Sequence, residues 1–201
     1  MQQDLWGRSG RRAVIIADAL RLDAALAIRD CLKGQDVEVH TVRAMLPTVT
    51  PIGMTAMLPL EGVHVTLDVE ANNLHPRVNG KDAALRSNRL ALLKEFGADC
   101  REIEEVENTT APSGAFGNLL VVFGHEDVDH LGHGSAETLI RHVDREVDRL
   151  ALLIRRLHRW GYPEVHVITD HGFILLDEEK LPPLVPCNKD WCHVRKERYA
   201  L

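Results

Sequence analysis

Carboxylates and imidazoles gather at three points along this chain, each directly after a short apolar run. Asp18 follows Ala-Val-Ile-Ile-Ala (13–17), and Asp170 with His171 follows Val-His-Val-Ile-Thr (165–169). His125, Glu126, Asp127, Asp129, His130 and His133 follow Leu-Leu-Val-Val-Phe (119–123). Asp, Glu and His are the ligand set of hard-to-borderline divalent cations. One acidic residue after a strand is an ordinary cap or turn former. Three strand ends doing so, two with Asp and His together, point to a metal site built from separate loops. Gly172 lets the chain turn sharply beyond Asp170-His171. Asp129 and His133 are spaced so that one helical turn sets both on one side, and Gly132 relieves crowding between them. Asp18 reads as a ligand, with capping of the following helix as its alternative role. His40, His64, His75, His142, His158 and His166 read as packing or surface residues.

A hydroxyl is offered by Pro47-Thr48-Val49-Thr50-Pro51. Thr50 reads as an N-cap and Pro51 as the first helical residue. A helix N-terminus carries partial positive charge and free N–H groups, which suits an anionic substrate. An unassisted Thr hydroxyl is a feeble nucleophile near neutral pH. Zinc lowers the pKa of bound water from about 15.7 to about 7, and the same effect would stabilise an alkoxide. The competing reading is that Thr50 only caps its helix.

The elements that must position these groups follow from apolar periodicity. Strands are expected at 13–17, 37–41, 62–69, 119–123 and 165–169. Helices are expected at 20–33, in a short stretch from Thr50, at 81–96 and at 136–160. Residues 71–80 read as loop, 102–107 as an edge strand or solvated connection, and the tail from Phe173 as irregular with short strands. Strand and helix alternate, which predicts an α/β fold with a doubly wound, mostly parallel central sheet flanked by helices. In such sheets ligands bind outside the carboxyl ends of the strands, where these side chains collect. No linker or repeat is visible, so residues 1–201 read as a single domain.

Composition narrows the class. The 201 residues carry 11 histidines and a net charge of −6, with 45% hydrophobic residues. These values exclude a disordered, collagen-like or coiled-coil chain. The acidic excess argues against a long non-specific duplex-binding surface. Cys31, Cys100, Cys187 and Cys192 are too scattered for a disulfide framework and read as thiols. No apolar run reaches the roughly 18 residues of a membrane span. Met1-Gln2-Gln3-Asp4 opens no signal peptide, so a cytoplasmic location is expected.

Four stretches resemble the alkaline-phosphatase superfamily in order and spacing, and within it the PglZ-domain family. They are IIADALRLD (15–23), LPTVTPIGMTAMLP (46–59), VVFGHEDVDHLGHG (121–134) and VITDHGF (167–173); the closing Arg198-Tyr199 is similar to the end of such domains. The resemblance implies two divalent metal ions about 4 Å apart, zinc first and manganese as the alternative. It implies that Asp18, Asp170 and His171 hold one ion and Asp129 and His133 the other. The second ion's third ligand would be His193, or else His125, Asp127 or His130. Thr50 would be the nucleophile, with Thr48 in its place if the loop is shifted by two. Arg21 would contact substrate or brace Asp18. The implied activity is phosphoester, above all phosphodiester, hydrolysis. Its substrate would be a nucleic acid or nucleotide and its setting a bacterial phage-defence complex of the BREX type. The alternative is a non-catalytic metal-binding interaction module of such a complex. A Thr at position 50 counts against a sulfatase, which would need a Cys or Ser there.

Overall fold

The computed structural model describes residues 5–110, 116–124 and 136–172, and the side chains of 136–140 are left aside. Its centre is a four-stranded parallel sheet of β1 (Arg12–Ala17), β5 (Asp99–Glu102), β6 (Leu119–Phe123) and β7 (Glu164–Thr169), ordered β5-β6-β1-β7. Side chains alternate between the two faces of a strand, so each face needs its own cover. Ala13, Ile15, Leu120 and Val122 pack on one face against α1 (Leu22–Cys31), α4 (Ile103–Asn108) and α5 (Ala136–Arg159). Val14, Ile16, Val121 and Phe123 pack on the other, under Met54 of α2 (Thr50–Ala56) and Leu93 of α3 (Arg86–Glu95). Helices on both faces of a parallel sheet are the expected α/β architecture.

A second sheet, β2 (Val65–Glu70), β3 (Asn73–Val78) and β4 (Lys81–Asp82), is antiparallel. It corrects two expectations. Residues 71–80 are not loop, because the chain reverses twice on two-residue turns. Ala71 and Asn72 have φ 47° and 62°, and Asn79 and Gly80 have φ 50° and 79°. Paired left-handed residues are what a tight hairpin turn demands, and Asn-Gly is its strongest sequence sign. The following helix also starts late, at Arg86 rather than 81. Lys81 and Asp82 are held in the β ladder, and the Asp82 carboxylate accepts the Ala84 N–H at 2.9 Å.

Three further boundaries differ. Residues 37–41 form no strand: no described strand pairs with them, and Glu38 and His40 stand out in solvent, 76% exposed. The edge strand lies at Asp99–Glu102, and the acidic run after it is helix α4. Its capping box joins Glu102 and Glu105, and carboxylates in a first turn suit the helix dipole. Thr50 is the first residue of α2, not its cap; Val49 occupies the cap position and no side chain caps it. The tail from Phe173 lies outside the described residues.

Arg149 ties α5 to α4. Its guanidinium forks Glu107 with two hydrogen bonds of 2.7 Å and reaches Glu104 at 2.6 Å. The fork is partly buried, so it is worth more than an exposed pair. Arg149→Ala is expected to lower the unfolding free energy by about 1–2 kcal/mol in a urea titration, with an unchanged m-value.

Candidate metal centre

Strand register brings the site together. Ala17 of β1 stands opposite Thr169 of β7. The residues that follow, Asp18 and Asp170, therefore leave the sheet side by side, and His171 comes next. One ligand atom from each of Asp18, Asp170 and His171 lies within 4.8 Å of the others. His171 Nε2 is 3.3 Å from Asp170 Oδ2 and 3.9 Å from Asp18 Oδ1. The three side chains are 0–5% exposed. Asp170 Oδ2 makes no hydrogen bond among the described residues.

Two turns shape the cluster. Ala19 adopts a left-handed backbone with φ 52°, although it is not glycine. That turn sends two consecutive N–H groups across to β7. Ala19 N–H donates to Asp170 Oδ1 at 3.1 Å, and Leu20 N–H donates to Thr169 Oγ1 at 2.9 Å. Thr169 Oγ1 in turn donates to the His171 carbonyl at 2.9 Å.

α2 sets the hydroxyl above this floor. Thr50 Oγ1 is 3.4 Å from His171 Nε2, whereas Thr48 is exposed. The helix sits so low because residue 53 is glycine. A Cβ there would lie 2.7 Å from Asp170 Cβ and 3.1 Å from its carbonyl oxygen.

Two buried carboxylates side by side are costly unless a cation compensates them. Burial pushes the Asp170 carboxyl up, and His171 and the N–H bonds from the loops pull it only part of the way back. Arg21 spends two guanidinium nitrogens on Asp23, at 2.8 and 2.6 Å, a fork that raises its pKa and lowers that of Asp23. Of the residues expected from sequence, the structure brings together Asp18, Asp170, His171 and Thr50. Asp129, His133 and His193 lie outside the described residues, as do His125, Asp127 and His130.

Among the described residues three of the four motifs thus meet at one place, and the overall pattern is also recognised. A family model described as the BREX system PglZ alkaline phosphatase-like domain matches residues 3–182. The chain belongs to the PglZ family. Comparisons with curated proteins and with solved structures return no match. PglZ membership carries an alkaline-phosphatase-like α/β fold and a phosphoesterase-superfamily, BREX-associated role. Alkaline-phosphatase-like proteins generally use divalent metals, and the buried Asp-Asp-His set of this PglZ domain fits one. Asp170 Oδ2, buried beside His171 Nε2 and making no hydrogen bond among the described residues, is an acceptor that such an ion would satisfy. Among the described residues no helix is long and apolar enough to cross a membrane.

Reading the sequence alone passes over Gly53, Thr169 and Ala19. Gly53 had a signal, a glycine inside a short helix that gains nothing from it; Thr169 and Ala19 had none. Gly53→Ala is expected to lift α2 from Asp170 and to cost about 1–3 kcal/mol of stability, read as a lower Tm in a thermal melt. An unchanged Tm would mean that the helix does not rest on Asp170.

Proposed function

We propose that this chain is a metal-dependent phosphodiester hydrolase with Thr50 as nucleophile, acting in a BREX-type phage-defence system. The observation that carries the reading is the Thr50 hydroxyl, 3.4 Å from His171 Nε2 at the edge of the buried Asp18–Asp170–His171 cluster. Those three side chains would hold one divalent ion, with zinc favoured and manganese acceptable to two carboxylates and an imidazole. Asp129, His133 and His193 would hold a second, on the family resemblance. The metals, when bound, supply positive charge that lowers the hydroxyl pKa and offsets charge on the phosphoryl oxygens.

The chain's own groups do the rest. Because Thr50 is the first residue of α2 and not its cap, its hydroxyl is left for chemistry. Gly53 lets the helix hold that hydroxyl close to His171. Burial of both carboxylates keeps bulk water from competing for them. Thr50 Oγ1, its proton lost to solvent, attacks phosphorus in line. The P–O bond to one alkoxide breaks, and that alkoxide leaves as the alcohol with a proton from solvent. Thr50 is left in a phosphodiester with the retained group. Water then cleaves the bond between phosphorus and Thr50 Oγ1, regenerating the hydroxyl and releasing a phosphomonoester. Arg21, on the loop after Asp18, would contact a phosphate oxygen. The substrate class is a nucleic-acid or nucleotide diester, in the cytoplasm.

Turnover of bis-p-nitrophenyl phosphate tests the reading. The zinc- or manganese-loaded chain is expected to hydrolyse it, and Thr50→Ala to lose at least about a thousandfold in kcat with unchanged metal content. An equally active Thr50→Ala would overturn the assignment. A metal-loaded but inactive wild type would favour the interaction module instead.

Acidity gives a second test. Burial raises the folded-state pKa of Asp170 above its unfolded value of about 3.9. The metal-free fold therefore binds that proton more tightly than the unfolded chain. It loses stability as pH rises from about 4 through the folded pKa. A divalent ion needs the ionised carboxylate and offsets this loss. The rise in Tm on adding zinc is expected to be larger at pH 7 than at pH 5. A full zinc-dependent rise at pH 7 in Asp170→Asn would exclude Asp170 as a ligand.

A further inference from the structure

The three ligands come from two loops that share no covalent connection nearby. Asp18 belongs to the loop after β1, and Asp170 with His171 to the loop after β7. Parallel pairing ends at Ala17 and Thr169, so the ladder itself does not hold the loops in step beyond that point. Two bridges do: the Ala19 N–H on Asp170, and the Thr169 hydroxyl.

We infer that Thr169 is a positioning residue for the metal centre, its hydroxyl fixing the Asp18 loop against the Asp170–His171 loop. The inference rests on the proposed metal-dependent reading and adds a residue to it. The hydroxyl uses both of its functions. Its oxygen accepts the Leu20 N–H at 2.9 Å, and its proton goes to the His171 carbonyl at 2.9 Å. The first bond reaches across to the neighbouring loop, and the second tightens the turn that presents the His171 ring. Nothing else at this position requires a hydroxyl. The residue ends a strand, where a β-branched side chain is favoured, and valine would fill the same volume. Valine would leave one N–H and one carbonyl of the two ligand loops without these partners. Groups that orient metal ligands change affinity without touching the ion.

The test is zinc affinity, measured by competition with a chromophoric chelator well below the melting temperature, for wild type, Thr169→Val, Thr169→Ala and Thr169→Ser. Val and Ala are expected to weaken zinc about 10–100-fold, and Ser to stay within about threefold of wild type. Metal-free melting curves accompany each variant. A merely structural role would lower the Tm of Val and leave the zinc affinity of the folded chain unchanged, which would overturn the inference. Ser binding as weakly as Val would overturn it as well. Should Val fold poorly, Ala and Ser carry the same comparison. A wild-type chain that binds neither zinc nor manganese would overturn the metal-dependent reading and this inference with it. Tight wild-type binding beside unaffected Val and Ala would overturn this inference alone.

Discussion

Pairing of β1 with β7, in the register that sets Ala17 beside Thr169, forces two carboxylates out of the sheet together. Asp18 and Asp170 are then buried next to each other with one imidazole between them and the Thr50 hydroxyl. Such a cluster is electrostatically unfavourable by itself, since desolvation and mutual repulsion both oppose two negative charges. The upward shift of the Asp170 carboxyl, driven by burial, is the local sign of the desolvation cost. Perturbed carboxylates of this kind gather at functional sites, where a bound cation would offset their cost.

The surrounding structure reads as a means of holding that cluster. Both faces of the parallel sheet are sealed by helices, which keeps β1 and β6 wholly buried and their loops well placed. The left-handed turn at Ala19 aims two N–H groups at β7. The missing side chain at Gly53 lets α2 lie directly on Asp170. The small antiparallel sheet supports that helix from outside, with Ile52 packed against Leu74. Each device sets a contact distance in the cluster, and a misplacement of about 1 Å can cost a catalytic site on the order of a hundredfold.

Much of this was legible in the residue order. Continuous apolar runs marked β1 and β6, because a strand covered on both faces needs apolar residues at every position. The mixed run Val-His-Val-Ile-Thr marked β7, the half-buried edge strand of the described sheet. The polar groups just beyond those runs marked Asp18, Asp170 and His171, because parallel sheets gather their loops at one end. Thr50 was legible as a hydroxyl at a helix start, but its offset by one position was not. Cap and first residue differ only in backbone angles, and Pro51 tolerates either. The alternation at 37–41 misled, since a strand also needs a partner to pair with, which periodicity does not report. The hairpin through 71–80 hid behind its turn residues, although Asn79-Gly80 was its signature. Gly53 meets Asp170, and Thr169 meets Leu20, across more than a hundred residues, and local pattern does not encode such contacts.

The most direct measurement is the anomalous difference map of crystals grown with zinc. A peak is expected between the Asp18 and Asp170 carboxylates and His171 Nε2, with Thr50 Oγ1 facing it. A zinc peak elsewhere, with those three side chains uncoordinated, would contradict the assignment of this cluster as the metal centre.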